Sequence, residues 1–565
     1  MRLRFFAVPL LAFAAGAADA AVVVDLSYVD ANGPAYQRFR TWVNQAVAGS
    51  PGYAFSATDA AYAYRISGGN QYCQLAVQMV EAQVATAEAE IAAARRPAVA
   101  ADSYLEVGDY IRDLSITYDW CAAFTTPAQR TRWAAYAQQA VWNVWNYQQA
   151  SWGGRAFPWS GWSVSDPGNN YHYSFLEATM YWSLASNNAT WRTFLETQKF
   201  PQLVAYFAAL PGGGSAEGTA YGLSHRRLFE LYRIWRDNTG TNLGTQSAHL
   251  EDSVDWWMHA TVPTMDAVAP IGDQARVSYP EMYDYHRNLV LQARVQTGDA
   301  ARRARAGWWL GAISVPQMTS GFNFRHDLLS TAPGGSTAPT ATWYHATGTG
   351  ALFARTDWTP SAMWMSFMAG PYNQSHAHQD QGSFNLFFAG DFQAVTENVW
   401  SHSGIEQGSE VHNLVRFVQN GTTVRQRTGT TSSMTVTPVP GGVSVDANLT
   451  PAFGTNAAVT NWRRQLVFAN RLLTVHDTFA MGAGVQAVFQ VNVPVAPVVS
   501  GRTATAGALA MRVLQPADAT ITVLDWRTVD ASEYNSGYRL DVRGSGNEFV
   551  VELGQAGLLF ANGFE

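Results

Sequence analysis

The sequence predicts a multidomain α+β protein in which a helical domain precedes an antiparallel β-sandwich domain. Three observations carry this. From about residue 30 to residue 315, apolar residues recur at three- and four-residue spacing, the period of helices with one buried face. Residues 330–342 are rich in Ser, Thr, Ala, Pro and Gly, the composition of a linker. Beyond them come short apolar runs separated by turn residues, the pattern of antiparallel strands.

Taken in order, the chain opens with Arg2 and Arg4, an apolar run over residues 5–15, and Ala18-Asp19-Ala20. A basic start, a short apolar core and an A-x-A site predict a secretory signal peptide, residues 1–20, cleaved after Ala20. The run is too short to anchor in a bilayer, and no later stretch reads as a membrane helix. The expected location is periplasmic or secreted. The 545 residues left from 565 exceed what one core normally supports. The expected division is a helical domain over 21–325 and a β domain over 326–565.

Helical spacing is clearest over 75–94, 128–149, 174–186, 226–237 and 285–295, with breakers between, as in Ser165-Asp166-Pro167-Gly168 and Pro211-Gly212-Gly213-Gly214. Strand-like runs fall at 351–355, 363–368, 383–388, 464–468, 472–477, 487–493 and 548–553. No repeat of fixed period is present.

The chain holds 21 Trp, 24 Tyr and 28 Phe, which serve large cores or stack on sugar faces. A net charge of −7 and the lack of any basic run argue against nucleic-acid binding. An acidic polymer would have to be held by local clusters. Of 36 basic residues only Lys199 is a lysine. Arginine suits bidentate grip on carboxylates, although a GC-rich genome produces the same bias. Cys73 and Cys121 are the only cysteines; export permits a disulfide, and the sequence leaves open whether they meet.

The densest polar cluster runs from Asn373 to Asp380 and contains His376-Ala377-His378-Gln379-Asp380. If extended, His376, His378 and Asp380 face one side, as in a metal site or an acid–base centre. Glu397 follows the next β run and His412-Asn413 opens another. These two would complete a three-ligand zinc site with His378.

Residues 344 to about 420 resemble the C-terminal half of the heparinase II/III-like polysaccharide lyases. The residues that carry the resemblance are Arg355 and Trp358, the His-x-His-x-Asp motif, Ser383-Phe384, the carboxylate Glu397 after Val395, and His412-Asn413-Leu414-Val415. The resemblance implies an N-terminal (α/α) toroid followed by a C-terminal antiparallel β-sandwich, acting as a lyase on an acidic polysaccharide such as alginate or a glycosaminoglycan. It implies that His376 assists proton transfer and that His378, Glu397 and His412 hold a structural Zn2+. Asp is usual where Glu397 stands, so Asp391 and Asp380 are alternative ligands.

In the helical half the family has an Asn-His pair opening a helix. Here Asn169-Asn170-Tyr171-His172 carries an extra residue, which turns the His by about 100° around the axis. The loop from Gly212 to Tyr221, with Glu217-Gly218, resembles the family's glycine-rich loop and makes Tyr221 the candidate acid or base; an ordinary half-buried tyrosine is the plain alternative. The implied chemistry is β-elimination. Asn170 and His172 neutralise the uronate carboxylate, with Arg226 or Arg227 and Glu217 contacting substrate, while Tyr221 and His376 move protons. Asp273, near Arg276, and the cluster 283–287 either line the cleft or form helix-end ion pairs. Three rival readings stand beside the lyase. A glycoside hydrolase would use Glu217 and a second carboxylate. A non-catalytic carbohydrate-binding protein would explain the broken Asn-His pair. A zinc hydrolase would use the His/carboxylate set. The sequence carries no signal for an oligomeric state.

Overall fold

The computed structural model describes residues 22–273, 279–397 and 407–559. The expected signal peptide and Arg276 lie outside the described residues. No described helix is long and apolar enough to cross a membrane.

The helical half is an (α/α) toroid. Helices Ala57–Ser67, Val107–Trp120, Asn170–Ala185, His225–Thr239 and Asp284–Arg294 pack in succession as an inner ring. The ring closes through Phe324–Asp327 and Pro34–Val47, which returns to Ala57–Ser67. Helices Asn70–Ala92, Pro127–Trp145, His249–Ala260 and Ala300–Ala312 pack outside it. Local signals set the starts. Ser56 with Asp59 and Thr126 with Gln129 form capping boxes, and Asn169 caps Asn170–Ala185 by accepting from the Tyr171 N–H. Asn170–Ala185 has polar and apolar residues buried on every side, as expected of a helix walled in by neighbours.

The hollow of the ring is a cavity of about 520 Å³ lined by charged side chains. Arg112 pairs with Asp109 and Glu177 at 2.9 and 2.7 Å, Arg227 with the same two at 2.6 and 3.0 Å, and Arg325 with Asp59 at 3.3 Å. Buried charges need such pairing, because each one alone costs several kcal/mol of desolvation. Cys73 and Cys121 form a disulfide that staples an outer helix to the end of an inner one, with Cα atoms 5.3 Å apart.

Every strand pairing in the second half is antiparallel. An eight-stranded sheet, centred on Val459–Ala469 and Leu472–Met481, forms one layer. Two five-stranded sheets, joined by a bridge between Val395 and Asn492, form the other. The layers share one core, which includes Leu352, Phe384, Leu466, Val475, Phe489 and Val551. Strand Ala351–Arg355 is buried on both faces. Leu352 and Ala354 enter the sandwich core, while Ala351 and Phe353 enter the helical core, where Phe353 meets Trp256 edge-on at 5.3 Å. Alternation of side chains thus lets one strand glue both halves. Arg355, stacked on Trp358 at 3.7 Å, donates to the Thr261 carbonyl and reinforces the same seam. The segment 330–342, expected as a linker, contains no strand and runs beside helix Ala300–Ala312, where Thr337 N donates to the Ala304 carbonyl.

Candidate active site

Three chain segments meet where the two halves adjoin. The glycine-rich loop ends in the 3-10 turn Tyr221–Ser224, which leads into helix His225–Thr239. Gly218 has φ +87°, and a Cβ there would lie 2.0 Å from the Ile271 carbonyl oxygen, so only glycine lets this loop approach segment 269–273. Gly272 has φ +70°, with the backbone oxygens of Glu217 and His376 2.6 and 2.8 Å from the place of its Cβ. This close approach brings the toroid loop, segment 269–273 and the histidine loop into one layer.

In that layer the Tyr221 ring and the His376 imidazole stack face to face, with centroids 3.4 Å apart and planes 3° from parallel. Asp273 lies behind the histidine. Its Oδ2 is 2.8 Å from His376 Nδ1, its Oδ1 is 2.8 Å from His378 Nε2, and its backbone N–H donates to the His376 carbonyl. Gln407 donates to both Asp273 oxygens at 3.1 Å and to the Ser375 carbonyl. Burial acts to raise the Asp273 carboxyl, but the hydrogen bonds from His376, His378 and Gln407 outweigh it and hold the group well below the usual carboxylate range. Burial, with the charges of Asp273 and Glu217, pushes the Tyr221 phenol up. The residues 376–380 are a loop rather than the extended strand considered from sequence. His376 keeps a fifth of its side chain exposed, whereas His378 is fully buried.

Asn169 and Asn170 approach this layer from the toroid. Asn169 Nδ2 donates to Glu217 Oε1 at 3.0 Å and to Ser375 Oγ at 3.3 Å, and the Asn170 N–H donates to Glu217 Oε2 at 3.0 Å. Glu217 has no exposed surface. Burial pushes its carboxyl up to about 8 despite the donated Asn170 N–H. It is therefore a prop for the helix start and not the substrate contact expected from sequence. Asn170 Oδ1 is buried with no hydrogen-bond partner among the described residues.

His172 is not brought to this cluster. It is fully buried, bonded through Nδ1 to the Ser163 carbonyl at 2.9 Å and packed edge-on against Trp145 and Phe175. Burial pulls it down to about 4. The cause is the extra residue: with the helix starting at Asn170, position 172 turns inward. Arg226, one turn below Tyr221, lies over the Tyr285 ring at 4.4 Å and forms no ion pair with a described carboxylate. Arg227, its rival, is occupied by Asp109 and Glu177.

Of the expected zinc ligands, His378 Nδ1 and His412 Nε2 face each other at 3.1 Å. That spacing suits a hydrogen bond, and it is also close to the edge of about 3.3 Å that a tetrahedral zinc with 2.0–2.1 Å bonds would need. The carboxylate is not there. Glu397 lies against Gly537, Asp391 is exposed on its strand, and Asp380, pushed up to about 6 by burial, accepts from Gln381. Thr396 Oγ1 lies 3.5 Å from His412 Nδ1. Among the described residues no three His, Cys, Asp or Glu side chains form a group able to hold a metal, so these residues do not fit the expected centre.

Asn169, Ser375 and Gln407 take part in this site and were not assigned to it from sequence, and Asp273, for which lining the cleft and a helix-end ion pair were both open, lies behind its histidines. The signal for Asp273 was its place after a glycine, in Ile271-Gly272-Asp273. For Asn169 it was the capping position itself.

No protein-family model matches the chain, and no curated protein sequence matches it. Solved structures do. The chain is similar to heparinase III, with 14% identity, a TM-score of 0.59, and 94% of this chain and 79% of that chain covered. It is similar to a heparan sulfate lyase from Pedobacter heparinus, with 13% identity, a TM-score of 0.54, and 94% and 85% covered. It is also similar to the chondroitin AC lyase of Streptomyces coelicolor A3, with 11% identity, a TM-score of 0.52, and 93% and 80% covered. The fold is therefore that of the toroid-and-sandwich polysaccharide lyases.

Proposed function

We propose that this protein, built on the heparinase III fold, is an exported lyase that cleaves a uronate-containing polysaccharide by β-elimination. The observation that supports it most directly is the Tyr221–His376 stack with Asp273 behind the imidazole. In β-elimination the proton α to the uronate carboxylate is removed and the bond to the 4-O-linked sugar breaks. A base must reach the C–H bond and an acid the neighbouring C–O bond, and the stack sets two such groups side by side.

The division of labour follows from their surroundings. With Nδ1–H donated to Asp273, His376 keeps its Nε2 lone pair for the α proton. Tyr221, held protonated by burial and by nearby carboxylates, gives its hydroxyl proton to the leaving oxygen. The electron pair of the broken C–H bond becomes the new double bond, and the sugar leaves as an alcohol. Asn170, at the amino end of helix Asn170–Ala185, offers its side-chain amide to the carboxylate, where negative charge grows. Arg226, which forms no ion pair with a described carboxylate, takes a neighbouring anionic sugar.

No step here uses a metal, since the described residues do not fit one; Asp273 and Gln407 fix the histidine loop instead. The heparan sulfate and chondroitin named for the similar structures support a glycosaminoglycan as substrate, with alginate kept on the panel as the other uronate polymer. The disulfide supports export. A hydrolase reading loses ground, because Glu217 is wholly buried and Asp273 is taken by two histidines.

The test is ultraviolet absorbance of unsaturated uronate on a panel of uronate polymers, with Tyr221→Phe and His376→Ala in parallel. The expected result is turnover of one polymer, reduced by about 10²–10⁴-fold in each variant while the fold persists by circular dichroism. New reducing ends without unsaturation would overturn the lyase in favour of a hydrolase.

A further inference from the structure

A second cavity, of about 610 Å³, lies on the outer side of the toroid. Its walls include Trp142, Trp145, Trp191 and Phe194. Trp145 and Trp191 both meet Phe194 edge-on, at 5.2 and 5.6 Å, so these three rings form one aromatic wall. Amides of Gln138, Asn146, Asn188 and Gln198 and hydroxyl residues share the lining, and among the described residues no Asp or Glu lines it. Lys199 is the one charged residue among the described residues that line it, in a chain whose other 35 basic side chains are arginine.

Lys199 is placed there by a one-turn π-helix, Leu195–Lys199, inserted between Ala189–Phe194 and Phe200–Ala208. Such insertions are rare and frequent at functional sites. Its Nζ lies 4.4 Å from the Trp145 ring centre and donates to the Val164 carbonyl at 3.1 Å. It forms no ion pair with a described carboxylate, and burial alone lowers its pKa. An ammonium half-buried beside aromatic faces, without a counter-ion, is costly unless something anionic arrives.

The cavity is separate from the cleft. The 163–169 loop divides them: Ser163 and Val164 turn their carbonyls to His172 and Lys199, whereas Asp166 and Asn169 bond Gln374 and Ser375 of the histidine loop.

We propose that this cavity is a second saccharide-binding site that holds a uronate-bearing stretch of the polymer away from the cleft, its sugar faces on the indoles and a carboxylate on Lys199. Flat apolar rings with hydrogen-bonding amides suit a sugar, and a lone uncompensated cation in an acid-free pocket selects an acidic one. The choice of uronate rests on the lyase reading, whereas the existence of the site does not.

The test uses the full chain and octasaccharides prepared from alginate and hyaluronan, with maltooctaose as the neutral control. Calorimetric titration is run on wild type, Lys199→Gln, Lys199→Arg and Trp142→Ala, each checked for an unchanged melting temperature. Wild type should show a binding class that Lys199→Gln and Trp142→Ala weaken at least about tenfold, and that Lys199→Arg largely restores. Added salt should weaken it in wild type and not in Lys199→Gln. KM on long polymer should rise in the two weakened variants, with turnover of a tetrasaccharide unchanged. Wild-type affinity and stoichiometry in both variants would refute the site, as would no binding at millimolar octasaccharide. Equal binding of maltooctaose would refute the role of Lys199. Loss of unsaturated product with this binding intact would refute the lyase reading alone.

Discussion

Replacing Glu217 by Gln tests whether the carboxyl that props the start of helix Asn170–Ala185 carries its proton in the folded chain. Burial pushes that carboxyl up to about 8, against 4.5 for the free group. Between these values the folded chain binds one proton more than the unfolded chain, so stability falls as pH rises through the window. The contribution is complete below 4.5 and is gone above about 8. One proton gives a slope of about 1.4 kcal/mol per pH unit, so from pH 5 to 8 the difference between wild type and Glu217→Gln should change by about 4 kcal/mol. Glutamine preserves the size and one acceptor for Asn169 but sets an N–H against the Asn170 N–H, a cost of about 1–3 kcal/mol at every pH. The variant should therefore be the less stable protein at pH 5 and gain on wild type as pH rises. Urea denaturation followed by tryptophan fluorescence at pH 5, 6, 7 and 8 measures this. Parallel stability curves would refute it, and would mean that the two donated N–H groups keep Glu217 ionised against its burial.

Three further outcomes follow from the same structure. Asp273→Asn removes the carboxylate that holds both His376 and His378, and initial-rate kinetics should show kcat reduced by about 10²-fold or more with KM little changed; an unchanged kcat would mean that His376 is positioned by the stack alone. Replacing Cys73 and Cys121 by Ala opens a loop spanning 48 residues, which should cost about 4 kcal/mol in denaturant titration. Exhaustive chelation should leave lyase activity and melting temperature unchanged, because the histidine loop is fixed by Asp273 and Gln407; activity lost on chelation and restored by zinc would place a metal between His378 and His412.

Much of the architecture was legible because it rests on periodicity. The expected strand over residues 351–355 is Ala351–Arg355, and the expected helices over 226–237 and 285–295 lie within or one residue beyond His225–Thr239 and Asp284–Arg294. The pair Tyr221 and His376 was also legible, through the glycine-rich loop and the His-x-His motif. What periodicity cannot convey is which residues from distant segments share a counter-ion. Asp273 lies 103 residues from His376, and only the close approach allowed by Gly218 and Gly272 makes them neighbours.

The misplacement of His172 has a local cause that the sequence contained. In Asn169-Asn170-Tyr171-His172 two asparagines compete to be the cap, and the helix takes the first. Asn169 then spends its oxygen on the Tyr171 N–H and its amide on Glu217 and Ser375, which leaves Asn170 as the first helical residue beside the cleft. Two positions on, about 200° round the axis, His172 faces the aromatic packing of Trp145 and Phe175. Of these rings, Trp145 also lines the outer cavity that holds Lys199. One inserted residue thus moves an imidazole from the Tyr221–His376 side of the 163–169 loop to the side where the second saccharide site is proposed, and in the proposed lyase the amide of Asn170 meets the uronate carboxylate without it.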